Sequence, residues 1–534
     1  MNIKHLTLLL FIGLARGQID TLWTKIYGDT GSVPVSGHYI KETQDGGYIV
    51  LGKNNQHLWL FKTDQNGIQE WSQLFGDTSE VSIGNSLIQT QDGGYVILGS
   101  KGPDIWLLKI TQNGFEEWSK TYRDSLVCDS VACDGYLGNS IEQSQDGGFI
   151  ITGGSYDYLA GYFTFSGKNY DNFRYQQLFL LKTDIEGNQE WIKTINGLRV
   201  GFSIKQTTDN GYILTGQNTP EHVIFISKID LLGNEIWRRS YGPNSNTNSG
   251  YSIEPTMDGG FITTGRWEIY YDINASCVSI TDRTTDIWLH KIDSNGDDEW
   301  TRTFGADSTL EVGHSVKQTA DEGFIICGYS GIKKRYCPPA PMIFFEDKTK
   351  LLLLKTNSLG EEQWRKTFQD DTLMYNDAGL STEASGRGLS IDITNDYGYI
   401  ITGYVNMPGV GYGWDRENFG DLYMVRTSPD LSLQTYTSKS NLENFSLYPN
   451  YPNPFNPFTT IEYFLPKNEF VSITVYDILG NVVNNLVNKH QNSGKHKATW
   501  NATNNFGESM SAGMYMYTIQ AREFKATKKM VLLK

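Results

Sequence analysis

One short pattern occurs seven times along the chain and constrains its fold more than any other feature. A turn of the form Asp-Gly-Gly-aromatic stands at Asp45, Asp92, Asp146 and Asp258, with Asp209 (DNGY), Asp321 (DEGF) and Asp396 (DYGY) as variants. Each lies between two short runs with strand character, as in SLIQT-QDGG-YVILG. The Asp-Gly pair can adopt the positive φ that a tight hairpin turn requires. A third apolar run follows, such as HLWLFKT or DIWLLKI, then a turn ending in Gly, then a fourth run opening on Trp. Where no insertion intervenes, the units recur every 46 to 49 residues. Four strands per unit at that spacing predict the blades of a β-propeller.

The Trp positions predict how the ring closes. Trp71, Trp118, Trp191, Trp237, Trp300 and Trp364 open the fourth strands of six units, while the seventh unit ends at LYMVRTSPD without one. The missing strand stands at the other end of the body, where Trp23-Thr-Lys-Ile-Tyr27-Gly has the pattern of Trp71-Ser-Gln-Leu-Phe75-Gly. Seven blades follow, with the N-terminal strand completing the last, and closure removes the open sheet edges that invite aggregation. The residue four after each Trp shares its strand face. It is aromatic at Tyr27, Phe75, Tyr122, Tyr241, Phe304 and Phe368, with Ile195 the exception, and the face reads as packing between blades. Asp64, Asp184, Asp230 and Asp293 read as turn caps. Phe304 stands where a calcium loop starting at Asp293 would need its bidentate Glu.

Function is expected where the units differ, because loops on a rigid scaffold carry binding. Insertions fall between second and third strands at 154–177, 266–286, 329–349 and 404–420, and before first strands at 123–138, 242–250 and 369–387. In an up-and-down blade these connections share one end. Their aromatic content marks Tyr156, Tyr158, Tyr162, Tyr170, Trp267, Tyr270, Tyr336, Tyr412 and Trp414 as candidate contacts for a sugar or protein surface. The same rings could instead pack the loops onto the blades.

Other readings are narrower. The formal charge is −15; the last 94 residues contribute +3 and the first 17 contribute +2, leaving −20 on the body. Such a body repels phosphate backbones, so nucleic acid is excluded as a partner. No nucleophile elbow, metal-binding His pair or phosphate loop occurs, so no catalytic residue, metal or cofactor is expected. Glu268, Asp272, Asp415 and Glu417 could form a glycosidase-like pair within the insertions. Lys4, His5, the apolar run Leu6–Leu14 and Ala15-Arg16-Gly17 read as a secretory signal peptide over 1–17. The run is too short to span a membrane. In an oxidising compartment Cys128–Cys133 and Cys277–Cys337 are expected to be disulfides, with Cys327 a buried thiol. Chain-entropy arithmetic assigns the short loop about 2 kcal/mol and the long one about 4.

After TSKSNLEN (437–444) the pattern changes. Tyr448-Pro449-Asn450, Asn453-Pro454-Phe455-Asn456-Pro457, Thr459-Thr460-Ile461, Tyr476-Asp477, Gly480, Gly513-Met514-Tyr515 and Lys528-Lys529 follow in order. This segment resembles the type A sorting domain of the type IX secretion system. That resemblance implies a small β-sandwich, read by the outer-membrane translocon and usually removed by a sortase. The body resembles secreted repeat propellers of no identified family. The expected organisation is a signal peptide (1–17), a seven-bladed β-propeller (18–432), a linker (433–446) and a sorting sandwich (447–534). The chain is expected to be a monomer at the cell surface or outside it, binding a glycan or protein. A secreted polysaccharide hydrolase and a structural surface protein are the alternatives. Peptide mapping of the unreduced protein should recover the two cysteine pairs as linked peptides; any other pairing contradicts the loop assignment.

Overall fold

The computed structural model describes residues 19–28, 35–77, 80–90, 92–123, 135–158, 173–218, 223–242, 248–271, 282–306, 309–335, 345–368, 385–406, 420–430, 446–447, 450, 453, 455–522 and 524–533. The signal segment and Cys128, Cys133, Cys277 and Cys337 lie outside them. Two compact units divide the chain between Asp430 and Leu431.

The first unit is all β and propeller-like. Its opening four-stranded antiparallel sheet comprises Val35–Glu42, Tyr48–Asn54, His57–Thr63 and Gln69–Phe75, hydrogen-bonded in chain order. Among the described residues six more quartets follow the same plan. The fifth and sixth are joined into one eight-stranded sheet by a single parallel pair, Thr285↔Leu310. The last quartet takes its outer strand from the other end of the body. Thr21–Tyr27 lies antiparallel to Gly420–Thr427, with Tyr27 opposite Leu422 and Thr21 opposite Thr427. The neighbours close on themselves: the Ile40 amide donates to Ser390 Oγ at 3.3 Å and the Glu42 amide to Asp392 Oδ2 at 3.0 Å. Sequence and pairing agree on this closure.

Burial explains the strand sequences. Third strands such as HLWLFKT are buried along almost their whole length, because each sheet is sandwiched between two neighbours. Outer strands alternate between exposed and half-buried positions. Trp71 and Phe75 pack on the core shared with the next quartet, and Trp23 and Tyr27 do the same for the last junction. Tyr27 Oη also donates to the Gly67 carbonyl of the following quartet at 2.5 Å.

A buried cation organises each turn. The third strand contributes Lys62, Lys109, Lys182, Lys228, Lys291, Lys355 or Arg426, and each reaches the Asp of its own Asp-Gly-Gly turn. The distances are 2.7 Å to Asp45, 2.9 Å to Asp92, 2.8 Å to Asp146, 2.5 Å to Asp209, 2.9 Å to Asp258, 2.9 Å to Asp321 and 2.6 Å to Asp396. In the first six turns the other carboxylate oxygen, Oδ1, is satisfied locally, as in the second turn, where it accepts from Thr90 Oγ1 and the Gly94 amide; in the last turn Arg426 reaches Oδ1 itself. In four quartets a Glu just before the outer-strand Trp also pairs with the cation: Glu70, Glu117, Glu190 and Glu299. A β-bulge makes this contact. Lys62 lies opposite Trp71 and Thr63 opposite Gln69, so Glu70 is the extra residue, aimed back at the ammonium.

The same cation accounts for the turn sequence. Only the first position after Asp takes positive φ, and there Asn210, Glu322 and Tyr397 substitute for Gly at +69°, +63° and +66°. The second Gly appears in all seven turns for a different reason. A Cβ at Gly47, Gly94 or Gly323 would run into the carbonyl of the third strand and crowd the lysine Nζ.

Lys355 has no exposed surface, and its counterpart of the bulged Glu is the neutral Gln363. Asp321→Asn should therefore destabilise the body by about 3 kcal/mol in urea unfolding, because it strands a buried ammonium. The acid limit is also set here. Burial alone would raise the carboxyls of Asp92 and Asp258, but Thr90 and Lys109, and Thr256 and Lys291, outweigh it and hold both at about 2. The ordinary value is about 4, so these turns contribute stability above it that is lost as pH falls towards 2. A urea midpoint flat from pH 6 to 4 and falling below pH 4 is expected.

Candidate functional site

The middle hairpins of the quartets differ in length, and only at one end. In the first, second and fourth quartets the pairing stops at Asn54↔His57, Lys101↔Asp104 and Asn218↔Val223. In the third, fifth and sixth it runs on to Tyr158↔Phe173, Tyr271↔Asp282 and Arg335↔Phe345. The insertions at 154–177, 266–286 and 329–349 therefore begin as strand continuations rather than loops. Beyond those bounds lie Tyr162, Tyr170, Tyr336, Tyr412 and Trp414, outside the described residues. Tyr158 and Tyr270 sit on the hairpin extensions.

Tyr156 is 1% exposed and packs with Leu137, Val200 and Phe202. It is core and leaves the candidate set, because the lengthened hairpin folds it inward between quartets. Trp267 is half-buried and stacks on Trp288 at 6.0 Å, which stacks in turn on His290 at 5.0 Å. His290 Nδ1 lies 2.7 Å from Thr301 Oγ1 and Nε2 3.2 Å from Asp298 Oδ1. Burial lowers the imidazole pKa, with Asp298 opposing, so the ring is held neutral. Glu268 is buried, and its carboxylate lies 3.8 Å from Arg266 Nη2. Asp272, Asp415 and Glu417 lie outside the described residues. The turn-cap reading of Asp293 holds: its Oδ1 accepts from the amides of Asn295 and Asp297 at 2.8 and 2.9 Å. Cys327 is a buried thiol whose Sγ fills the space that a side chain at Gly388 of the next quartet would need.

The structure adds residues that sequence reading passed over. Every first strand has a bulge after its Gly, at His38, Asn85, Asn139, Phe202, Tyr251, His314 and Leu389. On one side of the ring these residues hydrogen-bond to the next quartet: Asn85 Nδ2 to the Gly138 carbonyl and Asn139 Nδ2 to that of Gly201, at 2.8 and 2.9 Å. On the other side their rings touch one another, stacked at Tyr251–His314 and tilted at the two flanking pairs. Phe202 lies 5.3 Å from Tyr251, Tyr251 4.9 Å from His314 and His314 5.6 Å from Tyr329, with the Arg387 guanidinium 4.7 Å over Tyr329. Phe202, Tyr251 and His314 line the central cavity. The signal in the sequence was the variable second residue of the repeated Gly-x-(Ser/Tyr) frame.

The second unit is a sandwich of two sheets. One holds Ser446–Leu447, Thr459–Leu465 and Gly494–Trp500; the other holds Val482–Gln491, Glu469–Tyr476, Gly513–Ala521 and Phe524–Leu532. Its sequence motifs are structural. Asn450 is buried; its backbone amide donates to Tyr517 Oη at 2.8 Å and its side-chain Nδ2 donates to Thr459 Oγ1 at 2.9 Å. Asn453 Oδ1 accepts from the Val531 amide at 2.8 Å, and Phe455 packs on Trp500 at 5.5 Å. Asp477 Oδ1 caps the turn before Gly480 through the amides of Leu479 and Asn481.

Residues 450–533 match the family model of the secretion system C-terminal sorting domain. The chain carries a type IX sorting domain. It is exported through the periplasm and is secreted or displayed at the cell surface. No curated protein matches the chain. Among solved structures it is similar to the Pan2 WD40 domain of Neurospora crassa, at 8% identity and TM-score 0.43, over 76% of this chain and 95% of that one. It is also similar to virginiamycin B lyase of Staphylococcus aureus, at 10% identity and TM-score 0.40, over 76% and 99%. PorZ of Porphyromonas gingivalis, a surface component of the type IX system, matches at 11% identity and TM-score 0.20, over 95% and 82%. The propeller assignment rests on the strand pairing and not on these likenesses.

A fragment ending at Asp430 should retain the melting transition of the body, while deletion of 450–533 should abolish export. Loss of folding in the fragment would show that the sandwich is part of the body's structure.

Proposed function

We propose that the body is an extracellular or surface-displayed binding module that takes a glycan or a protein at its insert-bearing end. The observation that carries this reading is the one-sided lengthening of the middle hairpins, which leaves the turn end of every quartet compact. Half-buried Trp267 lies on one of these lengthened hairpins. The stacked Tyr251 and His314 lie farther along their strands from the Asp-Gly-Gly turns than the charged cavity residues do. Aromatic faces of this kind suit the apolar face of a sugar ring or an anchoring side chain.

A secreted hydrolase is the competing reading. It needs two carboxylates about 5 to 10 Å apart across a cleft. Glu268, buried beside Arg266, is poorly placed for that role, so the reading rests on Asp272, Asp415 and Glu417. A structural surface role is the third.

Glycan-array and polysaccharide-hydrolysis screens on the purified chain separate these readings. Binding that weakens about tenfold on Trp267→Ala supports the module, a factor corresponding to about 1.4 kcal/mol of lost contact. Release of reducing sugar that disappears with Asp272→Asn, Asp415→Asn or Glu417→Gln defeats it.

A further inference from the structure

The first strands line the central cavity, of about 270 Å³, and share the frame Gly-x-(Ser/Tyr)-aliphatic-x. The last position of the frame is Lys41, Ile88, Glu142, Lys205, Glu254, Lys317 and Asp392, in the order in which the quartets neighbour one another. All seven face the same cavity. Their signs run positive, neutral, negative, positive, negative, positive, negative. The contacts follow: Lys205 Nζ lies 3.2 Å from Glu142 and 3.6 Å from Glu254, and Lys317 Nζ lies 2.5 Å from Glu254. Across the closure, the Asp392 carboxylate accepts the amide of Glu42, next to Lys41.

A ring with an odd number of members cannot alternate in sign all the way round. Either two neighbours carry like charges or one position is neutral. Ile88 is that neutral position, between Lys41 and Glu142. A lysine there would repeat Lys41, and a glutamate would repeat Glu142. We infer that the six charges form one alternating girdle that specifies the order in which near-identical quartets close, with Ile88 as the spacer an odd ring demands.

The need for such a device follows from the repeat itself. The inner strands share one frame and one bulge, so backbone pairing alone discriminates poorly between correct and shifted neighbours. Like charges placed side by side penalise the wrong neighbour more than matched charges favour the right one. A ring closed one quartet short would set Asp392 beside Ile88 and leave Lys41 without its acidic neighbour. The girdle also satisfies its own charges, three positive against three negative. The cavity at this level is therefore balanced, and selection for a charged ligand falls to other residues.

The test uses the full chain and its urea midpoint at low and high salt. Four variants carry single changes, K317E, I88K, I88E and I88Q, and one inverts all six charges together. I88K and I88E should both unfold at lower urea than I88Q, by a margin that narrows as salt screens the repulsion. K317E should unfold lowest of all, since it sets three acids in a row. The inverted ring should unfold above K317E, because alternation is restored although every contact is new. Equal midpoints for the three Ile88 variants, or an inverted ring no more stable than K317E, overturn the inference.

Discussion

An ammonium group placed between two sheets must find an anion within hydrogen-bond reach, and most of the regularity of this body follows from that requirement. The third-strand Lys, or Arg426 in the last quartet, is enclosed by neighbouring sheets on both sides. The turn Asp approaches it from the loop, and in four quartets a bulged Glu approaches from the outer strand. The second turn Gly then has no room for a side chain. One buried charge thus links a turn, a bulge and a glycine that look unrelated in the sequence. Removing either partner of such a pair leaves an uncompensated charge, which is far more costly than never having placed one there.

The contacts between quartets divide along the radius. Near the cavity they are polar: serine hydroxyls accepting backbone amides, asparagine amides bonding to the next strand, and the charged girdle. Farther out they are apolar. Trp71 packs under the turn at Gly114 of the next quartet, and Trp118 under that at Gly187. Apolar packing supplies most of the free energy of association but little directional information. The polar inner contacts supply direction, and ring-to-ring contacts between bulge residues run from Phe202 through Tyr251 to His314.

The sorting domain shows how a motif that looks like a recognition signal can be a set of structural bonds. Asn450, Asn453, Phe455 and Asp477 are each occupied in pinning the two sheets or capping a turn. Asn453 is nevertheless exposed, and large apolar side chains at other positions, including Leu479 and Phe506, are exposed too. The motif therefore identifies the domain by its fold, and the surface that fold displays is a separate matter.

Much of the architecture was legible in the sequence because repetition turns a weak local signal into a count. Asp-Gly turns and Trp-led strands recur often enough to predict strand order and the swap of Thr21–Tyr27 onto the last sheet, since both depend only on local pattern and period. The partners of the buried lysines were not legible. A Lys in LFKT or LLKI reads as an interruption of an apolar strand until the fold sets it against a carboxylate 17 residues away, as Lys109 is against Asp92. The inward placement of Tyr156 was not legible for the same reason: composition marks it as an aromatic in an insertion, and only the extended hairpin register turns it inward. The alternating girdle was written in the chain at intervals of 47 to 75 residues, but it acquires meaning only in a closed ring. Charge order is a property of neighbours, and the tertiary structure decides who the neighbours are.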